Sequence, residues 1–235
     1  MARRHRGCPT VNDMNDTAPQ PADSAGQGPR RGVDRTTGRH VIARLAGSEH
    51  DHTVRAVVDL LSGEQSAVDS IIEDAVSDPE RLESVERLGN FDDTRNPTLD
   101  RVAVLVAEAL GTPMAAVSIV YPDRQVLAGS NASDEVQPRV APLEMSICKF
   151  TVASREPLVV DDTRAHPMLS DHPVVQSGAV LAYAGIPLLD SKGYVAGTLC
   201  TWDTQPRHWS SGQVQILNDL ADVARQRLLA DPRNV

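Results

Sequence analysis

The sequence predicts an α+β fold in which a central antiparallel sheet is covered by helices. Helical spacing of apolar residues over 98–110 gives way, after Gly111, to alternation with a period of two. Two pairs of alternating segments are then separated only by short turns, which is typical of hairpins. Consecutive strands therefore become antiparallel neighbours, and the helices must cover the faces of the sheet.

The chain divides into four parts by composition. All seven aromatic residues lie between Phe91 and Trp209, so the large core-forming side chains belong to the later part. A boundary near residue 90 follows. The predicted parts are a basic disordered tail at 1–40, short amphipathic helices at 41–94, the α+β domain at 95–229 and a C-terminal tail at 230–235.

The tail at 1–40 is rich in Pro and Gly and has few branched apolar residues. Burial of so few apolar groups does not offset the entropy lost on ordering, which predicts disorder. Met1 and Met14 are both compatible with the true start of the chain.

Apolar residues recur with helical spacing over 52–88. Gly63 and the Asp78-Pro79 pair interrupt the pattern where a helix end and a helix restart are expected. Each short helix carries one apolar stripe, which another helix, a second copy of the chain or the following domain must cover.

The α+β domain is predicted to begin with a helix after Pro97, capped by Asn96 or Thr98 and ending at Gly111. The predicted strands are Met114 to Tyr121, Arg124 to Ser130, Leu158 to Asp161, Val180 to Leu189 and Tyr194 to Trp202. Further helices are predicted from Ser146 to Arg155 and from Ser210 to Leu229, with a polar loop between Asp162 and Gly178.

Charge and hydropathy exclude several classes of function. The net charge is −9, and residues 45–235 alone carry −13 because eight of the arginines lie in residues 1–44. An acidic body repels nucleic acid, so we predict no nucleic-acid partner. No apolar run approaches the roughly 20 residues that a spanning helix needs, and no signal peptide is visible. The sequence thus predicts a cytoplasmic protein without a membrane partner.

The three cysteines, Cys8, Cys148 and Cys200, form an odd set without a CxxC pair, which predicts reduced thiols and no structural zinc site. Cys148 starts a short predicted helix beside Lys149, where helix N–H groups lower a thiol pKa. A small buried apolar side chain is the other interpretation of Cys148, and it is the favoured one for both Cys148 and Cys200.

Two other features are open to a structural and a functional interpretation. Gly197, in an apolar strand, predicts either close packing of a helix on the sheet or a backbone approach beside a cavity. Five acidic and histidine side chains could meet at one end of the sheet, but the prolines after both histidines are typical of turns, and we predict neither a metal site nor a catalytic residue. They are Asp161, Asp162, His166, Asp171 and His172.

Several short motifs occur in one order with suitable spacing: Ser146-Ile147-Cys148, Glu156-Pro157-Leu158-Val159-Val160, Tyr183-Ala184-Gly185-Ile186-Pro187-Leu188, Gly193-Tyr194, Gly197-Thr198-Leu199-Cys200, Asp203 and Pro206-Arg207. In them the region 95–229 resembles a GAF domain of the bacterial signalling type, as found ahead of histidine-kinase, diguanylate-cyclase or phosphatase modules. The resemblance implies a small ligand held between the sheet and the segments 142–155 and 161–179.

The resemblance implies a non-catalytic sensor or regulatory module in signal transduction. It would bind a small molecule or a protein partner and act as a homodimer through its flanking helices, with output supplied in trans by a partner. The expected ligand-binding residues are Ser146, Cys148, Asp161, His172, Tyr183 and Thr198. The ligand and any cofactor stay unknown, since a cyclic nucleotide, haem, an amino acid and a keto acid all suit a GAF frame.

The alternative function is a thiol-dependent redox enzyme or redox sensor that uses Cys148. One GAF branch reduces free methionine sulfoxide with a thiolate from the loop after the third strand, but this chain has no Cys between Lys149 and Leu199. Phe150 also stands where related sequences often place a His two residues after the Cys. We therefore do not expect an enzyme.

Overall fold

A computed structural model describes residues 65–89, 91 and 96–230 of the chain. The predicted tail at 1–40, the first part of the predicted helical segment and the last five residues lie outside this part. The predictions made for them are therefore untested.

The described elements follow one another in the order α1, α2, α3, β1, β2, β3, α4, β4, α5, β5, β6 and α6. The helices are α1 Gln65–Val76, α2 Pro79–Glu86, α3 Pro97–Leu110, α4 Cys148–Ser154, α5 Pro173–Gln176 and α6 Ser211–Leu229. The strands are β1 Met114–Val120, β2 Arg124–Ser130, β3 Val140–Pro142, β4 Leu158–Val160, β5 Ala182–Leu189 and β6 Val195–Asp203.

The six strands form one sheet in the order β3-β2-β1-β6-β5-β4, and every neighbouring pair is antiparallel. This confirms the predicted α+β fold. Among the strands and α-helices, two elements were not predicted: the edge strand β3 has only three residues, and α5 is one turn long within the predicted polar loop. Both are too short to show a periodic pattern.

Caps define the ends of α3. The side chain of Asn96 accepts hydrogen bonds from the backbone N–H groups of Thr98 and Leu99, so Asn96 is the N-cap of the two candidates. Gly111 follows the helix with φ 62°, a left-handed conformation that glycine adopts without strain. The capped helix packs against β1 and β2.

Helices cover both faces of the sheet. On the first, here called the α3/α6 face, α3 and α6 pack against strand residues such as Val117, Ile119 and Leu199. On the second, the α4 face, α4 packs against the sheet and α1 packs against α4. The α4 face holds most of the residues that the sequence suggested for a ligand.

The described part of the helical segment is covered by the domain that follows it. Ile72 and Val76 of α1 are buried in the core on the α4 face, and Val85 of α2 joins the core on the α3/α6 face. The Arg81 side chain is buried and donates to the backbone carbonyls of Val76, at 2.8 Å, and Val120. The sequence left open whether another helix, a second copy of the chain or the following domain covers the apolar stripes of these helices. For residues 72–85 the cover is the following domain.

None of the helices within 65–89 and 96–230 is both long enough and apolar enough to cross a bilayer.

Candidate functional site

The centre of the α4 face contains buried hydroxyl groups where a core normally has apolar side chains. Ser118 of β1 and Thr198 of β6 lie opposite each other in the sheet, and both are fully buried. Within the described part of the chain neither hydroxyl makes a hydrogen bond of good geometry, although Ser118 lies close enough to the Cys148 thiol to help lower its pKa. The two central strands thus place a pair of unpartnered polar groups beneath α4.

The segments that cover this pair add further polar groups. Thr151 of α4 is fully buried, and its hydroxyl makes no hydrogen bond of good geometry within the described part of the chain, although it lies close enough to Tyr183 to oppose the rise in the pKa of that phenol. His172, the residue before α5, is buried, and neither ring nitrogen makes a hydrogen bond of good geometry in that part, although the backbone of Ser146 lies close enough to act on its pKa. Its ring meets Phe150 edge-on, with the ring centroids 6.1 Å apart.

An unpartnered buried hydroxyl costs about 1–3 kcal/mol, because it has lost its hydrogen bonds to water without replacement. Three such hydroxyls and an imidazole around one helix therefore carry a substantial desolvation penalty. A polar molecule between α4 and the sheet would relieve it. Such concentrations of unpaired groups are typical of functional sites.

Two thiols and a phenol lie beside these groups. The Cys148 Sγ atom lies 3.2 Å from the Tyr183 hydroxyl and 3.6 Å from the Cys200 Sγ atom. The Cys200 thiol also lies 3.5 Å from the carbonyl oxygen of Ala116, to which it donates. The Cys148 thiol donates to the Cys200 sulfur. Its hydrogen bonds with Cys200 and, to a lesser extent, with Tyr183 lower the pKa of Cys148 against the effect of burial. Burial raises the pKa of Tyr183 well above its ordinary value.

Gly185 explains how Tyr183 reaches this cluster. A Cβ atom at Gly185 would lie 2.5 Å from the Tyr183 hydroxyl oxygen, so the phenol ring extends along β5 over the glycine. Any other residue at 185 would displace the ring. The Tyr-Ala-Gly sequence is therefore a unit that brings a hydroxyl to Cys148.

Burial, and secondly the positive charge of Lys149, lower the pKa of His172 to about 4. Its imidazole is accordingly neutral near pH 7. One ring nitrogen then donates and the other accepts a hydrogen bond, which suits a polar ligand.

The structure brings four of the six expected ligand-binding residues to the α4 face: Cys148, His172, Tyr183 and Thr198. Ser146 lies at the end of the 3-10 turn Leu143–Met145, and its hydroxyl bonds to the side chain of Gln125. Its position beside α4 is as expected, but its hydroxyl is already engaged.

Asp161 has a different set of contacts. Its carboxylate accepts from the backbone N–H of Trp209 at 3.0 Å and meets Nδ1 of His208 at 2.8 Å. Asp161 thus links the end of β4 to the segment that precedes α6. The other five expected ligand-binding residues make no such contacts.

Sequence analysis missed Ser118 and Thr151. Ser118 is the one polar side chain in the strand Met114–Val120, whose other side chains are apolar. That interruption was a usable signal. Thr151 lies three residues after Cys148 and so on the same side of α4.

The loop residues considered for a metal do not assemble into a site. No group of three or more His, Cys, Asp or Glu side chains within residues 65–89, 91 and 96–230 is arranged to hold an ion. Asp162 instead pairs with Arg164, its carboxylate oxygen 2.7 Å from a guanidinium nitrogen. That hydrogen bond lowers the pKa of the Asp162 carboxyl.

Gly197 serves packing rather than a cavity. A Cβ atom there would lie 3.0 Å from the side chain of Leu228 and 3.0 Å from the carbonyl oxygen of Ser118. Leu228 belongs to α6, so this glycine lets the last helix approach the α3/α6 face. The structural interpretation of Gly197 is the correct one.

A surface groove of about 540 Å³ lies elsewhere, between the exposed part of β5 and α6. Arg155, Pro187, Asp222 and Arg225 are among the residues that line it. Pro187 has no N–H group to offer an added strand, which is a common protection of sheet edges. None of the six expected ligand-binding residues lines this groove.

Comparison with known proteins finds one curated relative and several solved structures that are similar to this chain. The chain is 28% identical over 124 residues to a cyclic di-GMP phosphodiesterase of Pseudomonas aeruginosa, a match that covers 52% of this chain and 21% of that protein. The chain therefore spans about a fifth of the length of this curated relative.

Solved structures with a similar fold include the GAF domain of an Acinetobacter phosphoenolpyruvate-protein phosphotransferase, with 16% identity, a TM-score of 0.45 and coverage of 63% of this chain and 92% of that one. Free methionine-R-sulfoxide reductase from Neisseria meningitidis has 22% identity, a TM-score of 0.48 and coverage of 68% and 96%.

The sequence pattern of the GAF domain matches residues 94–228, more than half of the chain. The matched range contains the whole sheet together with α3, α4, α5 and nearly all of α6. With the antiparallel sheet and the motifs around α4, β5 and β6 in place, this chain is a member of the GAF domain family.

Proposed function

We propose that this chain is a cytoplasmic sensor or regulatory module in signal transduction, and that it binds a small molecule between α4 and the sheet. The observation that carries the proposal is the set of buried polar groups of Ser118, Thr151, Thr198 and His172, none of which makes a hydrogen bond of good geometry in the described part of the chain. The matched relative, named as a cyclic di-GMP phosphodiesterase, supports a signalling context.

The groups around the proposed site define what it would bind. Three hydroxyls and a neutral imidazole offer both donors and acceptors. The walls are otherwise apolar, with Phe150 and Leu158 in the surrounding core. A small molecule with several hydrogen-bonding atoms and an apolar portion matches this combination.

The proposed response is a shift in helix packing. A ligand beneath α4 contacts the helix on which α1 packs, so it favours one arrangement of the flanking helices over another. The proposed output is a homodimer that recruits a protein partner in trans. Exposed apolar side chains on α3 and α6 support a second copy as cover: they are Val104, Leu105, Ile216 and Val223.

Native mass spectrometry of the full chain, followed by a denatured mass of the same sample, tests the proposal. We expect a dimer with a discrete extra mass that is lost on denaturation. Thr198→Val should reduce the fraction carrying that mass. Thr201→Val is the matched control on the same strand, because its hydroxyl bonds to Thr112 and to the Met114 carbonyl. Equal loss in both variants would contradict the proposed site.

A thiol-based function is the second candidate, because Cys148 and Cys200 are in contact. As an enzyme, it predicts that Cys148→Ser abolishes sulfoxide reduction. The sensor proposal predicts no reductase activity with free methionine sulfoxide in the unaltered chain. A turnover that requires Cys148 would establish the enzyme and displace the sensor.

A further inference from the structure

The contact between Cys148 and Cys200 has a consequence beyond ligand binding. One thiol belongs to α4 and the other to the central strand β6, and their Sγ atoms are 3.6 Å apart. Both side chains are buried, with 3% and 2% exposure. The pair therefore joins the cover of the proposed site to its floor.

The separation is short enough for a disulfide. An S–S bond is about 2.05 Å long, so the two sulfurs need to approach by roughly 1.5 Å. Side-chain rotation and a small movement of α4 supply a displacement of that size. Since the two cysteines are 52 positions apart in the sequence, the bond would close a large loop.

The surroundings favour Cys148 as the attacking thiol. The Tyr183 hydroxyl lies within hydrogen-bond distance of its sulfur and can donate to the thiolate, and the Cys200 sulfur lies beside it. These contacts lower the pKa of Cys148, whereas the pKa of Cys200 is raised, by its hydrogen bond to Cys148 and by burial. The two sulfurs therefore have distinct roles, as nucleophile and resolving thiol.

We propose that Cys148 and Cys200 form a reversible disulfide when the protein meets a hydroperoxide, and that this bond holds α4 against the sheet and closes the site to its ligand. The second half of this inference rests on the proposed function. The first half concerns the thiols alone.

The chemistry balances in two steps. The Cys148 thiolate attacks one peroxide oxygen, which breaks the O–O bond, gives a sulfenic acid and releases an alkoxide or hydroxide that takes up the thiol proton. The Cys200 sulfur then attacks the sulfenic sulfur, and water leaves with the Cys200 proton. Two thiols lose two electrons in total, and the hydroperoxide is reduced to an alcohol or water.

Closure follows from where the bond would lie. Thr151 is three residues after Cys148 on α4, and Thr198 precedes Cys200 by two residues on the same face of β6. A covalent link beside these hydroxyls fixes the distance between α4 and β6, which must increase for a ligand to enter. The oxidised form is thus expected to bind ligand more weakly than the reduced form.

The first experiment treats the full-length protein with hydrogen peroxide, blocks free thiols by alkylation and maps peptides without reduction. We expect a Cys148–Cys200 peptide and an intact mass lower by two hydrogens, both reversed by a dithiol reductant. Cys8→Ser is the matched control and should retain the linkage, whereas Cys148→Ser and Cys200→Ser should each abolish it. Links through Cys8, or Cys148 over-oxidised to sulfinic acid without any link, would overturn the inference.

The second experiment compares hydrogen exchange in the reduced and oxidised forms. The amides of α4 should exchange at least roughly tenfold more slowly after oxidation, because the bond opposes local opening of the helix. Unchanged exchange in a sample shown to be linked would overturn closure while leaving the disulfide intact.

Any co-purified ligand mass supplies a separate readout. Its loss on oxidation and return on reduction would support the coupling, and its retention in the linked form would refute it. If no such mass is found, the proposed function fails on its own test, while the linkage is still decided by peptide mapping.

Discussion

On the α3/α6 face, the central strands present Val117, Ile119 and Leu199 to two long helices, and the buried hydroxyl of Thr201 bonds to Thr112 at 2.6 Å. On the α4 face, the same strands present Ser118 and Thr198 to one short helix, and neither hydroxyl has a partner in the described part of the chain. The fold therefore supplies a hydrogen-bond partner to a buried hydroxyl on the α3/α6 face. The α4 face, by contrast, carries a desolvation cost that packing does not explain.

The largest expected effect belongs to the apolar face. Leu217 of α6 is 1% exposed, and Leu217→Ala should reduce the free energy of unfolding by about 2–5 kcal/mol, because it leaves a cavity. Urea unfolding measures the change. Val136→Ala, at 69% exposure and outside the proposed dimer surfaces, is the control and should stay within about 0.5 kcal/mol. A comparable loss at Val136 would show that burial does not explain the effect at Leu217.

Arg81 is a buried polar group with partners, and its removal should be costly. Arg81→Ala leaves the carbonyls of Val76 and Val120 without their donor and deletes a packed alkyl chain. We expect a loss of about 2–4 kcal/mol in urea unfolding. Burial lowers the pKa of Arg81 to about 10, so the group stays charged at pH 7. Arg87→Ala, half-exposed on the same segment, is the control and should change little.

The pH dependence tests His172. Because the folded-state pKa is about 4 against 6.5 for the free group, the unfolded chain takes up a proton between these values and the native chain does not. Stability should accordingly fall by roughly 1–2 kcal/mol as the pH is lowered through this window. His172→Gln should remove that part of the slope. Lys149→Met should shrink it, since the loss of a positive charge raises the pKa of His172; an unchanged slope in both variants would show that the ring is not buried as described.

The smallest expected effect is the sharpest test of the two faces. Thr198→Val replaces an unpartnered hydroxyl with a methyl of the same size and should leave stability unchanged or raise it by about 1 kcal/mol. Thr201→Val, on the same strand, should cost about 1–2 kcal/mol because its hydroxyl bonds to the Met114 carbonyl at 2.7 Å. Thermal and urea unfolding should both show no loss of stability for Thr198→Val and a loss for Thr201→Val. Equal losses would show that Thr198 has a partner in solution.

Much of the fold could be predicted from the sequence, because long periodic segments such as α3 and α6 carry many agreeing positions. The cap at Asn96 and the stop at Gly111 depend on local chemistry and were likewise predictable. The strand Val140–Pro142 has no such pattern, since it is short and only its backbone defines it.

The candidate site was predictable only in part. Cys148, Tyr183 and Thr198 come from motifs, but their meeting depends on the antiparallel register of β5 and β6 and on the position of α4. Ser118 was missed because one serine in an apolar strand is a weak signal, which does not by itself distinguish a ligand-binding hydroxyl from a packed one. Asp161 shows the converse: a carboxylate at a strand end looks available in the sequence, yet it holds the backbone of Trp209.

The buried guanidinium of Arg81 helps to determine where a folded fragment of this protein must begin. The family match begins at residue 94, whereas Arg81 satisfies a carbonyl at the end of β1 and Ile72 fills the core beneath α1. A fragment that starts at the family boundary would expose that core and leave the Val120 carbonyl bare. As a folding unit the domain thus starts more than twenty residues earlier than it does as a sequence family.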